Sequence, residues 1–479
     1  MTPKTVFSFA AGPAGAMILG TLSLPLTAWI FDQSDIGRIA MLFVAIRLAS
    51  LLFTFGLDQS YARYYHYRSN KEGLFLECMS PGIVILCCAL TALLFFSPEL
   101  LSLWLFDVPS AKFSVAIAIL MVSQLVTTFL LLKARMEEKG SLFSIAQVLP
   151  KFVMLAVLIC GYIIAGINQF AFLLAAHTFA LTLGTLYLLS NVRVRINAIS
   201  KAQELQSNLK EHLRFGLPLV IAGAAYWGLT MVDKIFLSEM SGYEQVGLYA
   251  VATSFANGAN LIKIIFATVW APVIYSMTNH AKAAAFVSKI SLWIAILVLA
   301  MTAATGALSW VTHFILPKEY DAVPVLLILC ILPPLLYTYS ESTAVGINLS
   351  NRTGFSFLAA FISFVANCIG NYILVPIKGA EGAAISTALS FALFALLRTE
   401  FSSNLWEQFQ RLKSYQYLSV TLLLVLATPW AYRAYGPNML HAAWGLVGFG
   451  FVVAHLQKIK QILNEIQSWR NTKGKQGTQ

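Results

Sequence analysis

The sequence predicts an all-α polytopic membrane protein with about fourteen transmembrane helices, in two halves of six helices and an additional C-terminal pair. Apolar residues make up 58% of the 479 residues and charged residues 11%, with a mean hydropathy of +0.74. Apolar windows of about 20 residues, enough to cross a bilayer as a helix, recur along the whole chain. Basic residues concentrate in alternate loops between these windows. A water-soluble chain would not combine these features.

The first window, "VFSFAAGPAGAMILGTLSLPLTAWIF", is too long and unbroken for the apolar core of a cleavable signal peptide, so we interpret it as a retained helix. Prolines within several windows, such as Pro13, Pro25, Pro150 and Pro218, predict bent or broken helices. The spans are predicted at residues 6–30, 37–60, 81–104, 114–133, 142–165, 169–190, 215–237, 246–270, 286–309, 323–347, 354–376, 380–398, 417–434 and 439–456.

The basic residues orient these spans, because lysine and arginine in short loops remain on the cytoplasmic side. With the N-terminus inside, the cytoplasmic loops contain Arg63, Arg68, Lys71, Lys133, Arg135, Lys139, Arg193, Arg195, Lys201, Lys210, Arg214, Lys282, Lys289, Arg352, Arg398, Arg411 and Lys413. The outer loops contain only Arg38, Lys112, Lys318, Lys378 and Arg433. Both termini are therefore predicted in the cytoplasm, and the net charge of +11 indicates a membrane surface rather than nucleic-acid binding.

A weak internal repeat supports the two halves. A shift of 210 positions aligns "IGRIAMLFVAIRLAS" with "VGLYAVATSFANGAN" and matches Gly37 to Gly247. The shift pairs the second helix with the eighth, as two six-helix halves in the same orientation require. The predicted organisation is an N-lobe at 1–190, a basic cytoplasmic linker at 191–214, a C-lobe at 215–398, two further helices at 399–456 and a basic tail at 457–479.

Two amphipathic stretches lie outside the spans. In "KAQELQSNLKEHLR" leucines recur every fourth residue, and the tail has an apolar face beside Lys458 and Lys460. Both are typical of helices that lie on the inner leaflet, and a regulatory docking role is the alternative. The six cysteines have no metal-ligand spacing, and we interpret them as packing residues without disulfides.

Charged residues within the predicted spans are the candidate functional residues. The cations are Arg47, Lys151, Lys234 and Lys263, and the acids are Asp58, Asp233 and Glu341. Helical spacing predicts three polar stripes that face the bundle interior: Arg47, Thr54 and Asp58 on the second helix, Tyr226, Thr230 and Asp233 on the seventh, and Thr253, Asn257 and Asn260 on the eighth.

Two interpretations of these charges remain open. The charges can pair across helices and stabilise the bundle, as Asp233 would with a cation of another helix, or Asp233, Lys234 and Glu341 can form ion pairs that take part in gating. Alternatively, the surplus of buried cations serves a transported anion. Arg47 favours the second interpretation, because it lies near mid-span with no acid within one turn. Enzymatic motifs such as HExxH, GxxxxGK[ST], GxSxG and CxxC are absent, and His177 is more typical of a hydrogen-bonded core histidine than of a proton carrier.

The stretch "FGLPLVIAGAAYWGLTMVDKIFLSEMSGYEQVGLYAVATSFAN" resembles the seventh and eighth helices of Wzx-type oligosaccharide (O-antigen or exopolysaccharide) flippases. These belong to the multidrug/oligosaccharidyl-lipid/polysaccharide exporter superfamily. "SDIGRIAMLFVAIRLASLLFTFGLDQSYARYY" and "KGAEGAAISTALSF" are similar to the family's second and twelfth helices.

The resemblance implies two six-helix lobes around a central cationic cavity, plus two C-terminal helices, with alternating access and no cofactor. The implied cargo is a polyprenyl-diphosphate-linked oligosaccharide, moved from the inner to the outer leaflet of the cytoplasmic membrane for surface polysaccharide assembly. Membrane lipids, a polysaccharide polymerase and a chain-length regulator are the expected partners. Arg47 matches in position the headgroup arginine of the family's second helix, whereas the eighth helix offers Lys263. The expected substrate-binding residues are Arg47, Lys263, Lys151, Asp58, Tyr226, Asn257 and Asn260.

Other functions are open but less well supported. A cation-coupled multidrug exporter of the same fold would require an acidic cavity and an acid within the first helix, and the first acid is Asp32, at that helix's end. A membrane glycosyltransferase or polymerase would require a substantial outer loop with catalytic groups, and stretches such as "HFILPKEYDAV" are too short. A structural scaffold does not explain the buried cations.

The predicted topology can be tested by labelling single cysteines from outside sealed cells. Cysteines at Glu239 and Lys318 should react with a membrane-impermeant maleimide, whereas those at Lys201 and Lys282 should react only after permeabilisation. Labelling at Lys201 in sealed cells would contradict the number of helices before the linker.

Overall fold

A computed structural model describes residues 3–192 and 209–476, which form helices and short connections. The α-helices are α1 (Pro3–Ile30), α2 (Gln33–Phe53), α3 (Leu57–Tyr64), α4 (Lys71–Phe96), α5 (Leu100–Phe106), α6 (Ala111–Met136), α7 (Gly140–Ala165), α8 (Phe170–Asn191), α9 (Leu209–Met240), α10 (Tyr243–Ala256), α11 (Asn260–Tyr275), α12 (His280–Leu308), α13 (Thr312–Ile315), α14 (Val323–Cys330), α15 (Leu332–Thr343), α16 (Val345–Leu349), α17 (Gly354–Leu405) and α18 (Leu412–Gln476). Most of the linker and the side chains of the tail lie outside the described residues, so the two amphipathic stretches stay predictions.

The predicted all-α membrane fold with fourteen crossings is confirmed. Eleven described segments are long and apolar enough to span a membrane. One of them, α17, contains two crossings that meet at Gly379, and α18 likewise bends at Gly436. Both glycines have positive φ angles, of 54° and 79°, which only glycine adopts readily. Counting α17 as two crossings gives twelve, and the two parts of α18, which is not among the eleven, bring the number in the described residues to fourteen.

Two predicted boundaries are wrong. The third span was predicted at 81–104, but α4 runs over Lys71–Phe96, because the side chain of Asn70 caps it by accepting a hydrogen bond from Gly73 N at 2.8 Å. The second span was predicted to continue to residue 60. Instead α2 ends at Phe53, since Phe55 and Gly56 adopt positive φ angles of 50° and 68° and α3 begins in a new direction.

The apolar core consists of two main clusters of buried side chains. One is built from residues between Ile30 and Val192, on α1 to α8. The other is built mainly from residues between Ala225 and Trp444, on α9 to α18. Each half of the chain therefore buries its own apolar residues, and the exact lobe boundaries stay a prediction.

The two halves meet at a close crossing of α2 and α10. A Cβ atom on Gly37 would overlap the carbonyl oxygen of Tyr243, and a Cβ atom on Gly247 would overlap that of Gln33. Gly37 and Gly247 are the residues matched by the 210-residue repeat, and each lies near the first turn of its helix. Absence of a side chain at both positions lets the backbones approach closely, as small residues do in membrane bundles.

A second contact joins the halves at the opposite end of α2, which we call the basic end because Arg63, Lys71, Arg135 and Lys139 lie there. Gly56 packs directly on the backbone of Gly216. Nearby, Ser60 Oγ donates a hydrogen bond to the carbonyl of His212 at 2.9 Å. The segment that runs from Gly37 on α2 to Gly56, in the turn after α2, is thus held at both ends against the second half of the chain.

The crossing can be tested with a glycine-to-alanine pair. Gly37→Ala should lower the melting temperature of the purified protein, because the added methyl group overlaps Tyr243 O and overpacking typically costs about 1–3 kcal/mol. The control is Gly20→Ala in α1, where a Cβ atom meets nothing within 4 Å. The control should leave stability unchanged or raise it, and equal effects of the two substitutions would show that the crossing is not tight.

Candidate functional site

Three adjoining cavities lie along α2, with volumes of about 730, 640 and 320 Å³. We call them the N-lobe, central and C-lobe cavities. Side chains of α2, α6, α7 and α8 line much of the N-lobe cavity, and those of α9, α10, α11 and α15 line much of the C-lobe cavity. The central cavity lies between them and is lined by α1, α2, α7, α9 and α10, among others. Arg47 lines all three, so the cavities share this side chain.

Arg47 projects from α2, between the two contacts that hold this helix. Its side chain is exposed to the cavities, and it has no hydrogen bond or ion pair with any described residue. It lies close enough to Lys151 and Lys234 for the charges to interact. A guanidinium cannot be neutralised by deprotonation, so Arg47 requires water or an anion in the cavity.

Lys151 faces Arg47 from α7, one residue after Pro150. Its Nζ lies 5.5 Å from the centre of the Phe43 ring, within the range of a cation–π contact. The neighbouring His177 packs on the same ring, and its Nδ1 lies 3.1 Å from the carbonyl oxygen of Leu173. His177 is thus a hydrogen-bonded histidine at the cavity wall.

Asp58 is not on α2, contrary to the prediction that it shares a helical face with Arg47. The turn at Phe55 and Gly56 places it in the first turn of α3, where its Oδ2 accepts a hydrogen bond from Gln59 at 2.7 Å. Both Asp58 and Arg47 still line the N-lobe cavity. Among the described residues, Asp58 is the only acid that lines any of the three cavities.

Lys263 projects from α11 into the C-lobe cavity and is held by two tyrosines. Its Nζ donates a hydrogen bond to the hydroxyl of Tyr226 at 3.1 Å and lies 3.7 Å from the centre of the Tyr337 ring. Tyr226 was predicted to face the interior, whereas no pattern in the sequence indicated Tyr337, which lies on the distant α15. No carboxylate of the described residues forms an ion pair with Lys263.

The predicted polar stripe of the eighth span lies in the cavities. Thr253, Asn257 and Asn260 line both the central and the C-lobe cavity. A short 3₁₀ turn at Asn257–Ala259 interrupts the helix there, and Asn260 Nδ2 donates to Asn257 Oδ1 at 2.8 Å. Among the described residues, this bond uses neither Nδ2 of Asn257 nor Oδ1 of Asn260.

Asp233 does not pair with a cation of another helix, so that expectation is wrong. Its buried carboxylate accepts hydrogen bonds from four neutral donors: Tyr249 at 2.7 Å, Asn367 at 2.9 Å, Asn371 at 2.9 Å and Thr387 at 2.7 Å. These donors lie on α10 and on both parts of α17. Its neighbour Lys234 lines the C-lobe and central cavities instead, where Met231 Sδ at 4.0 Å is its hydrogen-bond partner.

Glu341 forms an ion pair with Arg398, whose Nη1 lies 3.1 Å from Glu341 Oε2 and 2.9 Å from Ser340 Oγ. Arg398 was predicted in a cytoplasmic loop but is buried, because α17 extends to Leu405. Lys133, also predicted in a loop, is buried too and contacts Glu72 at 2.6 Å. The sequence alone does not separate such paired cations from unpaired ones.

The arrangement is therefore a cationic cavity. Arg47, Lys151, Lys234 and Lys263 line it, against Asp58 alone among the described acids. The other intramembrane acids, Asp233 and Glu341, are occupied by protein donors. Such a lining attracts anions and disfavours cations.

Comparison with known proteins identifies the family. Residues 4–278, more than half of the chain, match the family described as "Polysaccharide biosynthesis protein". The chain belongs to this family. No curated protein is similar enough in sequence to be matched to the chain.

Solved structures show the same fold as this polysaccharide biosynthesis protein. The lipid II flippase MurJ in an inward closed conformation has a TM-score of 0.68 at 13% identity, over 94% of this chain and 99% of its own. An inward-facing multidrug resistance MATE family transporter of the MOP superfamily has a TM-score of 0.60 at 12% identity, over 85% and 94%. A MOP superfamily transporter from Pyrococcus furiosus, whose binding pocket is described as having reverse polarity, has 0.51 at 12% identity, over 86% and 96%. The chain thus shares the fold of these solved structures.

The role of Asp233 can be tested by its removal. Asp233→Ala should reduce the melting temperature and the membrane level of the protein, because four buried donors lose their acceptor and each unsatisfied group costs about 1–3 kcal/mol. Glu239→Ala, an exposed acid six residues later on α9, is the matched control and should have no effect. A fully stable Asp233→Ala protein would contradict a structural role.

Proposed function

We propose that this protein flips polyprenyl-diphosphate-linked oligosaccharides from the inner to the outer leaflet of the bacterial cytoplasmic membrane, by alternating access, for surface polysaccharide assembly. The observation that carries the proposal is Arg47: an exposed guanidinium inside an apolar bundle, shared by three cavities and without a protein partner among the described residues. Membership of the polysaccharide biosynthesis family supports this class of cargo.

The diphosphate is proposed to bind between Arg47 and Lys151. Both cations line the N-lobe and central cavities, and a diphosphate diester carries about two negative charges that they can balance. The guanidinium fork of Arg47 can donate two parallel hydrogen bonds to phosphate oxygens, whereas Lys151 supplies a point charge. Lys234 adds positive charge on the opposite wall of the central cavity.

The glycan is proposed to occupy the polar parts of the cavity. Gln59, Gln124 and Gln147 line the N-lobe cavity, and Asn257 and Asn260 line the C-lobe cavity. Their amides can exchange hydrogen bonds with sugar hydroxyls. The isoprenoid chain would remain in the surrounding lipid, where its apolar surface is favoured.

Alternating access is proposed to open one contact between the halves at a time. The backbones approach closely at Gly37–Gly247 and at Gly56–Gly216, and each contact would close the cavity at its own end. The excess of lysine and arginine supports a cytoplasmic basic end, so cargo would enter past Gly56 and leave past Gly37. A polysaccharide polymerase and a chain-length regulator would receive it there.

A cation-coupled multidrug exporter is the second candidate, because a MATE family transporter has the same fold. The cavity lining argues against it. A cationic drug would meet Arg47, Lys151, Lys234 and Lys263, and among the described residues only Asp58 would offer it a carboxylate.

The proposal is tested by glycan export in cells that depend on this protein. Arg47→Ala should abolish surface polymer, because the diphosphate loses a charged group that can donate two parallel hydrogen bonds. Arg47→Lys keeps the charge and should retain part of the polymer export. Arg352→Ala, an exposed arginine at the basic end, is the control and should export normally. Membrane levels of all variants are measured in parallel.

Full surface polymer in the Arg47→Ala strain would refute the assigned headgroup role. Resistance to cationic drugs that rises with expression of the wild-type protein, without any effect on polymer, would favour the exporter instead.

A further inference from the structure

We infer that the C-lobe cavity is a separate subsite that binds an acidic sugar of the glycan, with Lys263 as the partner of the sugar carboxylate. The inference rests on the proposed function, since it assumes a lipid-linked oligosaccharide as cargo. It assigns Lys263 a ligand other than the diphosphate bound by Arg47 and Lys151.

The first support is the hydrogen-bonding state of Lys263. An ammonium group has three N–H donors. One donates to the Tyr226 hydroxyl at 3.1 Å, and the face of the Tyr337 ring lies 3.7 Å from Nζ. Among the described residues no other acceptor contacts it, which leaves one donor for a ligand. The two tyrosines fix the ammonium in one position without neutralising it.

The second support is the local charge balance. The guanidinium of Arg398 lies 5.6 Å from the centre of the same Tyr337 ring, so this ring has two cations near it. In the described part of the chain, Glu341 is the one acid that forms an ion pair with either cation, and it engages Arg398 at 3.1 Å. One positive charge therefore remains unbalanced, and no Asp or Glu lines the C-lobe cavity.

The third support is the shape and polarity of the cavity. Its volume of about 320 Å³ is at the lower end of small-molecule sites, which suits one or two sugar rings. Thr230, Thr253, Asn257 and Asn260 line it together with the tyrosines. Hydroxyl and amide groups around one surplus cation match a sugar that carries hydroxyls and one carboxylate, as a uronic acid does.

The position of the cavity links it to the diphosphate. Arg47 lines the C-lobe cavity as well as the other two, so a sugar close to the diphosphate can enter while the phosphates remain near Arg47 and Lys151. Lys263 lies on the eighth span, seven residues before Trp270, and belongs to the other half of the chain. The two subsites would thus be contributed by different halves.

The test measures binding of three probes to the purified full-length protein in nanodiscs: a polyprenyl diphosphate without sugar, one bearing glucose and one bearing glucuronate. The wild type should bind the glucuronyl probe at least about tenfold more tightly than the glucosyl probe, as a charge-assisted hydrogen bond predicts. Lys263→Gln should remove this difference and leave the other two affinities unchanged. Lys263→Arg should retain it.

Arg47→Gln is the comparison variant and should weaken all three probes alike. Equal affinity of the wild type for glucosyl and glucuronyl probes would overturn the acidic-sugar subsite but not the flippase proposal. An equal loss for the sugar-free probe in Lys263→Gln would make Lys263 a diphosphate ligand and also overturn the inference. Binding of none of the probes to the wild type would refute the proposed function itself.

Discussion

The close contact of the two halves along α2 is the constraint on which the site depends. At one end Gly37 and Gly247 let α2 and α10 touch backbone to backbone, and at the other Gly56 and Gly216 do the same for the turn before α3 and the start of α9. Between these points the helix cannot move away from the second half without breaking a contact. The Arg47 face of α2 is thereby held as a shared wall of three cavities.

The charged groups inside the apolar bundle fall into two classes: those with partners within the protein and those without an acidic partner. In the first class, Asp233 accepts hydrogen bonds from four neutral donors, and the Glu341–Arg398 and Lys133–Glu72 pairs join opposite charges within the protein. Removal of one member of such a group leaves a buried partner unsatisfied, so these residues stabilise the fold. The cavity cations have no such acid. Because an unpaired charge is tolerated only where water or an anion reaches it, their positions mark the site that a ligand can occupy.

The sequence was sufficient to predict the membrane fold, the number of crossings and the four cavity cations, because composition, basic loops and helical spacing are local properties. It failed where the outcome depended on tertiary contact. The turn at Gly56 was missed because an apolar run through "LLFTFGL" gives no sign of a positive φ angle at Phe55. Asn367, Asn371 and Tyr337 were not singled out, since each meets its partner across more than 70 residues of chain. Arg398 was predicted in a loop because the sequence around it has no local signal that α17 continues to Leu405.

On the proposed function, the difference between arginine and lysine side chains in the cavity affects how the cargo is released. A transporter must bind its cargo tightly enough to select it and weakly enough to release it. A cavity lined by several arginines would bind a diphosphate through many parallel hydrogen bonds, which would oppose release. Among the described residues that line the three cavities, Arg47 is the only arginine. The other cations, Lys151, Lys234 and Lys263, carry a point charge at the end of a flexible side chain. On the proposed function, the bound anion also offsets the unpaired charges when both glycine contacts are closed, so occlusion is easier with cargo than without it. Opening of either contact admits water, which screens the same charges and weakens the hold on the diphosphate. In such a site one arginine orients the diphosphate through directed hydrogen bonds, while the lysines attract it without fixing its orientation. This combination suits a transporter that binds its cargo in one state and releases it in the next.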